Sequence, residues 1–175
     1  MSTDTAALPR AVPTAQAGAA ESMEQYLTFE LAGELFAIPI LAVQEIRGWE
    51  SATRVPQAPA HVLGVINLRG AVVPVMDLRL RLAIERADMT AKTVVIVVRI
   101  DGGEGRLVTV GCVVDAVSDV ANIAEGDVRL VLSLCESVNG SFLRGVAAVD
   151  SRLTMLLDLP KLLHDSVLEV PAAAN

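Results

Sequence analysis

The chain has 175 residues and a formal net charge of −7, and no run of Lys or Arg stands out. Proteins that bind nucleic acid or an anionic membrane need a basic surface to neutralise phosphates, so both classes are disfavoured. Hydrophobic residues make up 53% of the sequence and aromatic residues only 3%, so aliphatic side chains must fill the core. The partner is therefore expected to be another protein or a small molecule.

The two ends of the chain differ from its middle. Residues 1–22 are rich in Ala, Thr, Ser and Pro, which predicts a flexible N-terminal tail, and a second tail is expected over 166–175. The first ten residues lack the apolar segment of a signal peptide, and the longest apolar runs are far shorter than the roughly 20 residues that span a bilayer. We therefore expect a cytoplasmic protein without direct membrane insertion, whose folded part covers 23–165.

Between the tails the pattern is one of short strands joined by tight turns. The alternation of Leu27, Phe29 and Leu31 with polar residues is typical of a strand with one buried face. Two-residue turns are predicted at Ala32-Gly33 and Arg69-Gly70, where glycine tolerates positive φ. In chain order, the first half offers strands at 27–31, 36–40, 43–46, 64–68 and 71–76, followed by a short helix with Asp77 as its N-cap.

The second half of the chain repeats this plan at offsets of 74 and 81 residues. The repeated pairs are Ala42-Val43 with Ala116-Val117 (116 − 42), Gly64-Val65 with Gly145-Val146 (145 − 64), and Asp77-Leu78 with Asp158-Leu159 (158 − 77). Each half thus offers about five strands, a number at which a small sheet can close on itself and remove its edges. Chance similarity between strand-rich segments is the alternative, but the common offsets favour a duplication that gives two similar β-barrels.

No catalytic or metal-binding set stands out. His61 and His164 lack a Cys, Asp or His partner at metal-ligand spacing; we interpret His61 as a loop residue and place His164 near the C-terminal end of the last helix. The Gly-rich stretch 101–105 lacks the helix and the Lys-Ser/Thr of a phosphate-binding loop, so it predicts a hairpin loop. Asp115 and Asp119 are interpreted as turn and edge residues. We therefore expect no enzyme, no cofactor and no metal.

The two cysteines, Cys112 and Cys135, could pair in principle. In a reducing compartment a free cysteine usually behaves as a small buried hydrophobic residue. We therefore favour two buried thiols over a disulfide.

Eight stretches of the chain, taken in order, resemble the CheW family. They are QYLTF at 25–29, FAIPI at 36–40, VQEIR at 43–47, TRVP at 53–56, GVINLRG at 64–70, VVPVMDLR at 72–79, VVDAVSDV at 113–120 and LLDL at 156–159. The ordered set is highly specific, whereas a single stretch would be weak. One departure is that 128–135 lack the Pro-rich segment that the family usually has after the Ser-Asp-Val strand.

The resemblance implies an all-β fold of two interlocked five-stranded SH3-like β-barrels with short helices. It also implies a non-enzymatic adaptor that acts in chemotaxis signalling arrays. Members of the family bind the cytoplasmic tip of methyl-accepting chemoreceptors and the regulatory domain of the CheA histidine kinase. The same two partners are therefore expected here.

The resemblance further implies a receptor-binding groove between the two barrels. By motif, the candidate receptor-binding residues are Val43, Glu45, Ile46, Gly64, Arg69, Val95 and Val117. Glu45 and Arg69 are charged residues within apolar strands, and pairing with each other or with the receptor would offset the cost of burying them. A plain surface salt bridge is the alternative for this pair. Val43 and Glu45 share one face of their strand and Ile46 lies on the other, and the sequence leaves open which face meets the groove.

Two other functions remain open at this point. One is a small-molecule or peptide-binding β-barrel protein unrelated to chemotaxis. The other is an enzyme whose site is assembled from residues far apart in the sequence.

Overall fold

Strands dominate the computed structural model, which describes residues 21–130 and 140–168. The strands are β1 (Met23–Leu31), β2 (Glu34–Pro39), β3 (Val43–Gly48), β4 (Val62–Leu68), β5 (Ala71–Asp77), β6 (Val94–Asp101), β7 (Leu107–Val114), β8 (Ala116–Ala124), β9 (Leu143–Val149) and β10 (Arg152–Leu157). The α-helices are α1 (Leu78–Arg81) and α2 (Leu159–Leu168). The predicted all-β class is confirmed. Helix α2 extends three residues into the predicted C-terminal tail, and the tails otherwise lie outside the described residues, apart from 21 and 22.

The strands form two five-stranded sheets that interlock. The strand order is β8-β1-β2-β10-β9 in one sheet, called sheet A, and β3-β6-β7-β5-β4 in the other, called sheet B. The hairpin β1–β2 from the first half of the chain therefore lies among strands of the second half, and β6–β7 lies among strands of the first. The parallel pairs β2–β10 and β5–β7 join strands from different halves of the chain. The pairing leaves two outer strands in each sheet, so closure into barrels stays a prediction.

The two halves of the chain repeat one strand order, as a duplication would require. Sheet A reproduces the order of sheet B strand for strand when β8, β1, β2, β10 and β9 are matched to β3, β6, β7, β5 and β4. The outer strands β3 and β8 have register shifts next to the equivalent residues Val43 and Val117. The backbone N–H groups of Asp77 and Asp158 donate to the carbonyls of His61 and Phe142, both at 2.8 Å. The repeat thus extends to individual hydrogen bonds.

The main core lies between the two sheets. It takes alternate residues of β1 and β2, among them Leu27, Phe29 and Phe36, together with Ile96 of β6 and Cys112 of β7. The rings of Phe29 and Phe36 stack with centroids 6.1 Å apart. Burying each large side chain of this kind contributes about 1.5–3 kcal/mol, so the contact between the sheets dominates the stability.

Each sheet also has a smaller core on its opposite face. Tyr26 and Leu156 belong to that of sheet A, and Val75, Val95 and Val113 to that of sheet B. Because side chains alternate along a strand, β1 and β6 supply both the shared core and a smaller one. This explains why residues 94–98 of β6 are apolar on both faces of the strand.

Two residues interpreted from the sequence are placed by the fold. Cys112 is fully buried, as predicted, and burial raises the pKa of its thiol to about 12; Cys135 lies outside the described residues. His164 is exposed in the middle of α2, so its expected place near the end of that helix was wrong.

Within 21–130 and 140–168, no group of three His, Cys, Asp or Glu residues could hold a metal ion, and no helix could span a membrane.

Asp77 caps α1 as predicted. Its carboxylate accepts a hydrogen bond from the backbone N–H of Arg79 at 2.9 Å. The side chain is buried, and the loss of solvation raises its pKa above the ordinary value of 3.8 in spite of that hydrogen bond. The charged form is thus less favourable in the folded protein than in the unfolded chain.

We expect Asp77→Asn to be more stable than the native protein at pH 7. Asn caps helices about as well as Asp and carries no charge to desolvate. The cost of ionising Asp77 is fully present above its folded pKa and disappears below its unfolded pKa, so the advantage of the variant should vanish towards pH 3. Urea unfolding of both proteins at pH 7 and pH 3 tests this, and an advantage that grows on acidification would contradict it.

Candidate protein-binding site

The candidate site lies along β3, an outer strand of sheet B. Val43, Glu45 and Arg47 are partly buried, whereas Gln44, Ile46 and Gly48 are exposed. Val43 packs against the core between the sheets, and 44% of Ile46 is exposed. In the structure, therefore, Ile46 points outward and Val43 points inward.

An ion pair joins Glu45 to Arg69. Nη2 of Arg69 lies 2.8 Å from Oε2 of Glu45. Arg69 belongs to the β4–β5 turn, so the pair connects β3 with β4, the two outer strands of the same sheet. The side chain of Glu45 is 22% exposed and that of Arg69 is 83% exposed. A pair this exposed contributes under about 1 kcal/mol to stability, which leaves the guanidinium accessible to a partner.

The β4–β5 turn fixes the position of Arg69. Arg69 and Gly70 have φ values of 51° and 86°, the pattern of a two-residue hairpin turn with two left-handed residues. The side-chain oxygen of Asn67 accepts from the N–H of Gly70 at 2.9 Å and supports this turn. The Asn-Leu-Arg-Gly motif therefore forms a defined turn that holds Arg69 with its guanidinium exposed.

Gly64 has a structural reason to be glycine. Its φ is +144°, and a Cβ atom there would lie 2.1 Å from the carbonyl oxygen of Thr53. Thr53 pairs with Val65 through two backbone hydrogen bonds of 2.9 Å, which attach the segment before β4 to that strand. Gly64 is buried, so it supports the site through the backbone and offers no side chain to a partner.

We expect Gly64→Ala to destabilise the protein by about 2–4 kcal/mol, because the methyl group combines an unfavourable φ with a clash against backbone. Gly48→Ala is the matched control, since a Cβ atom added there would have no neighbour within 4 Å and the φ of Gly48 is ordinary. Thermal and denaturant unfolding of the two variants measure the difference. Equal costs at both positions would show that the close approach of Thr53 is not what requires glycine.

The two remaining candidates lie apart from the ion pair. Val95 is only 2% exposed and packs in the smaller core of sheet B. It can therefore influence binding only by supporting the neighbouring strands of that sheet. Val117 is partly buried on β8 of sheet A, where it is the equivalent of Val43. Among the seven candidates, the structure brings Glu45 and Arg69 into direct contact and places Val43 and Ile46 on the same strand.

Sequence reasoning missed one exposed apolar residue beside the site. Leu41 lies in the short 3₁₀ turn Ile40–Ala42 that leads into β3, and 89% of it is exposed. The signal was an apolar residue shortly after Pro39, at a point where the alternating pattern ends. Leu41 thus adds exposed apolar surface at the start of β3, the strand that also carries Glu45 and Ile46.

A second ion pair serves the fold rather than the surface. Asp115, predicted as a turn residue, accepts from Nε of Arg79 at 2.6 Å and from the backbone N–H of Ala32 at 2.7 Å. Only 13% of the Arg79 side chain is exposed. This pair ties α1 to the β1–β2 turn, and its burial contrasts with the exposure of Arg69.

The fold and the candidate site together describe a two-sheet protein that exposes apolar and charged side chains along the outer strand β3. The CheW-like domain family matches residues 25–167. The chain is 38% identical to a probable chemotaxis protein CheW of Rhizobium etli (81% of this chain, 88% of the relative) and 40% identical to the chemotaxis protein CheW of Rhizobium meliloti (77% and 84%). It is also similar to the crystal structure of the scaffolding protein TtCheW from Thermoanaerobacter tengcongensis, with a TM-score of 0.72 and 30% identity over 81% of this chain and 88% of that one.

The chain therefore belongs to the CheW family, as its motifs indicated.

Proposed function

We propose that this protein is a non-enzymatic cytoplasmic adaptor that couples methyl-accepting chemoreceptors to a CheA-type histidine kinase. Membership of a family of chemotaxis scaffold proteins supports the adaptor role. The exposed Glu45–Arg69 pair on the outer strands of sheet B is the observation that carries the choice of receptor site.

The fold itself does not require this ion pair. At the equivalent positions of sheet A, the repeat places Asp119 and Asp150 (offsets of 74 and 81), which cannot pair with each other. Both sheets nevertheless have the same strand order. A charged pair that one half keeps and the other half lacks is better explained by binding than by folding.

The surface around the pair suits a helical partner. Ile46 on β3 and Leu41 in the turn before it offer exposed apolar groups, and Arg69 offers an exposed cation that pairs with Glu45 of the same strand. A receptor tip is a helical hairpin, and a helix that binds through an apolar face requires such a surface. We propose that Ile46 and Arg69 touch the receptor, with Glu45 orienting the guanidinium and Val43, Gly64, Val95 and Val117 supporting the strands.

Reconstitution tests the proposal. The purified protein, a receptor-tip fragment and the kinase are combined, and sedimentation and kinase autophosphorylation are measured. We expect the protein to bind both partners and receptor-dependent activation to require it. Binding to neither partner, with ligand-induced stabilisation by a metabolite or peptide instead, would favour the unrelated binding-protein alternative.

We expect Ile46→Lys to retain the fold and to weaken receptor binding by about tenfold or more, because the charge would be desolvated only in the complex. Val43→Lys is the matched control on the same strand: Val43 packs against the core, so this change should cost about 1–3 kcal/mol of stability. Denaturant unfolding and receptor-tip binding are measured on both variants. Together they show whether each position is a surface contact or a core position. Normal receptor binding by a folded Ile46→Lys protein would exclude Ile46 from the contact.

A further inference from the structure

The two sheets differ in charge at one pair of equivalent positions. In sheet B, Glu45 and Arg69 pair across the gap between the outer strands at 2.8 Å. In sheet A the same positions hold Asp119 on β8 and Asp150 in the β9–β10 turn. Sheet A therefore has two carboxylates where sheet B has an ion pair.

The backbone supports this equivalence. The turn residues Arg69 and Asp150 have φ values of 51° and 47°, and each precedes a second residue with positive φ. Asp119 lies at the register shift of β8, as Glu45 does at that of β3. The same scaffold therefore presents different electrostatics at its two ends.

Asp119 and Asp150 line one cleft of about 400 Å³, together with residues of β8 and β9, the outer strands of sheet A. Oδ1 of Asp119 accepts from the N–H of its neighbour Val120 at 2.7 Å, and the side chain of Asp150 has no hydrogen bond or ion pair within the described part of the chain. Arg152 lines the same cleft, but its guanidinium bonds the Glu30 carboxylate at 3.4 Å and the Gly33 carbonyl at 3.3 Å. Among the described residues, therefore, neither aspartate of the cleft forms an ion pair with a cationic side chain.

Apolar side chains accompany these two carboxylates. Val120 of β8 is exposed, and Val149 of β9 is partly buried; both line the cleft. A surface that combines two carboxylates outside any ion pair with apolar groups is complementary to a cation carried by an apolar segment. The planar guanidinium of arginine can bridge two carboxylates, which an ammonium does less well.

We propose that this cleft is a second docking site, which binds a segment of a partner protein that inserts an arginine between Asp119 and Asp150. The partner thereby supplies the cation that Arg69 supplies within sheet B. The site is separate from the proposed receptor contact, because it lies on the other sheet.

A phage-displayed library of random dodecapeptides, selected on the full-length protein at low salt, tests the proposal. We expect Arg flanked by apolar residues to be enriched about tenfold or more, and an enriched peptide to shift the backbone amide signals of Val120 and Ser151 in NMR spectra. The variant Asp150→Arg supplies the cation within the chain, as sheet B does. This variant should keep the melting temperature of the native protein and should no longer enrich arginine-containing peptides.

Asp88→Arg is the control, since it makes the same charge change at an exposed residue that does not line the cleft, and it should retain peptide binding. The proposal is overturned if the selected peptides lack arginine, if their binding survives Asp150→Arg, if Asp88→Arg abolishes it equally, or if the shifted amides belong to β3 and β4. None of these outcomes depends on whether the protein binds a receptor or a kinase.

Discussion

Arg69→Glu should leave the protein folded and remove receptor-dependent kinase activation. The side chain of Arg69 is 83% exposed, so little packing is lost with it. The new carboxylate would lie beside Glu45, and like charges in place of an ion pair disturb the surface that the receptor is proposed to contact. We expect activation to fall about tenfold or more while stability changes by no more than about 1 kcal/mol.

Two controls sharpen this experiment. Arg106→Glu makes the same charge change at another exposed arginine and should retain activation. The double variant Glu45→Arg with Arg69→Glu restores an ion pair with reversed polarity. If the pair only stabilises the strands, the double variant recovers activation; if the receptor contacts the guanidinium at position 69, it stays inactive. An unchanged circular dichroism spectrum together with intact activation by Arg69→Glu would exclude Arg69 from the function.

Met76→Ala and Leu157→Ala should each destabilise the protein by about 2–5 kcal/mol, the usual cost of removing a large core side chain. These equivalent residues of β5 and β10 are 2% and 1% exposed and pack in the core between the sheets. Because one core serves both sheets, either change should unfold the whole domain in a single transition. Receptor binding should then fall only in proportion to the unfolded fraction.

Leu153→Ala, at an exposed position on β10, is the control and should cost little. Leu68→Ala should lie between these limits, because Leu68 and its equivalent Val149 are only partly buried, each at the end of its strand before a hairpin turn. Denaturant unfolding curves measure all four variants. A transition that splits in two for one core variant would show that the sheets fold separately.

The local structure could be predicted from the sequence where a short pattern fixes it. The turn at Arg69-Gly70 follows from a residue pair that accepts positive φ, and the cap at Asp77 from a side chain that can bond the next turn of backbone. Strand β1 begins at Met23. The sequence predicted a start only at Leu27, because Glu24 and Gln25 interrupt the apolar alternation.

The pairing of distant strands could not be derived in this way. Alternation shows which face of a strand is buried but not which strand lies beside it, and β2 pairs with β10 from the far end of the chain. The interlocked arrangement was expected from the family resemblance alone. The same limit applied to β3, where the choice between Val43 and Ile46 as the outward residue depends on which core lies beneath the strand.

We propose that the receptor binds at the edge of sheet B around Glu45 and Arg69. An NMR titration of the isotope-labelled protein with a receptor-tip fragment tests it most directly, since each backbone amide reports on its own surroundings. We predict that the largest shifts fall on 41–47 and 67–70, and that they disappear with Arg69→Glu. Shifts confined to β8 and β9 of sheet A, with 41–47 unchanged, would contradict it.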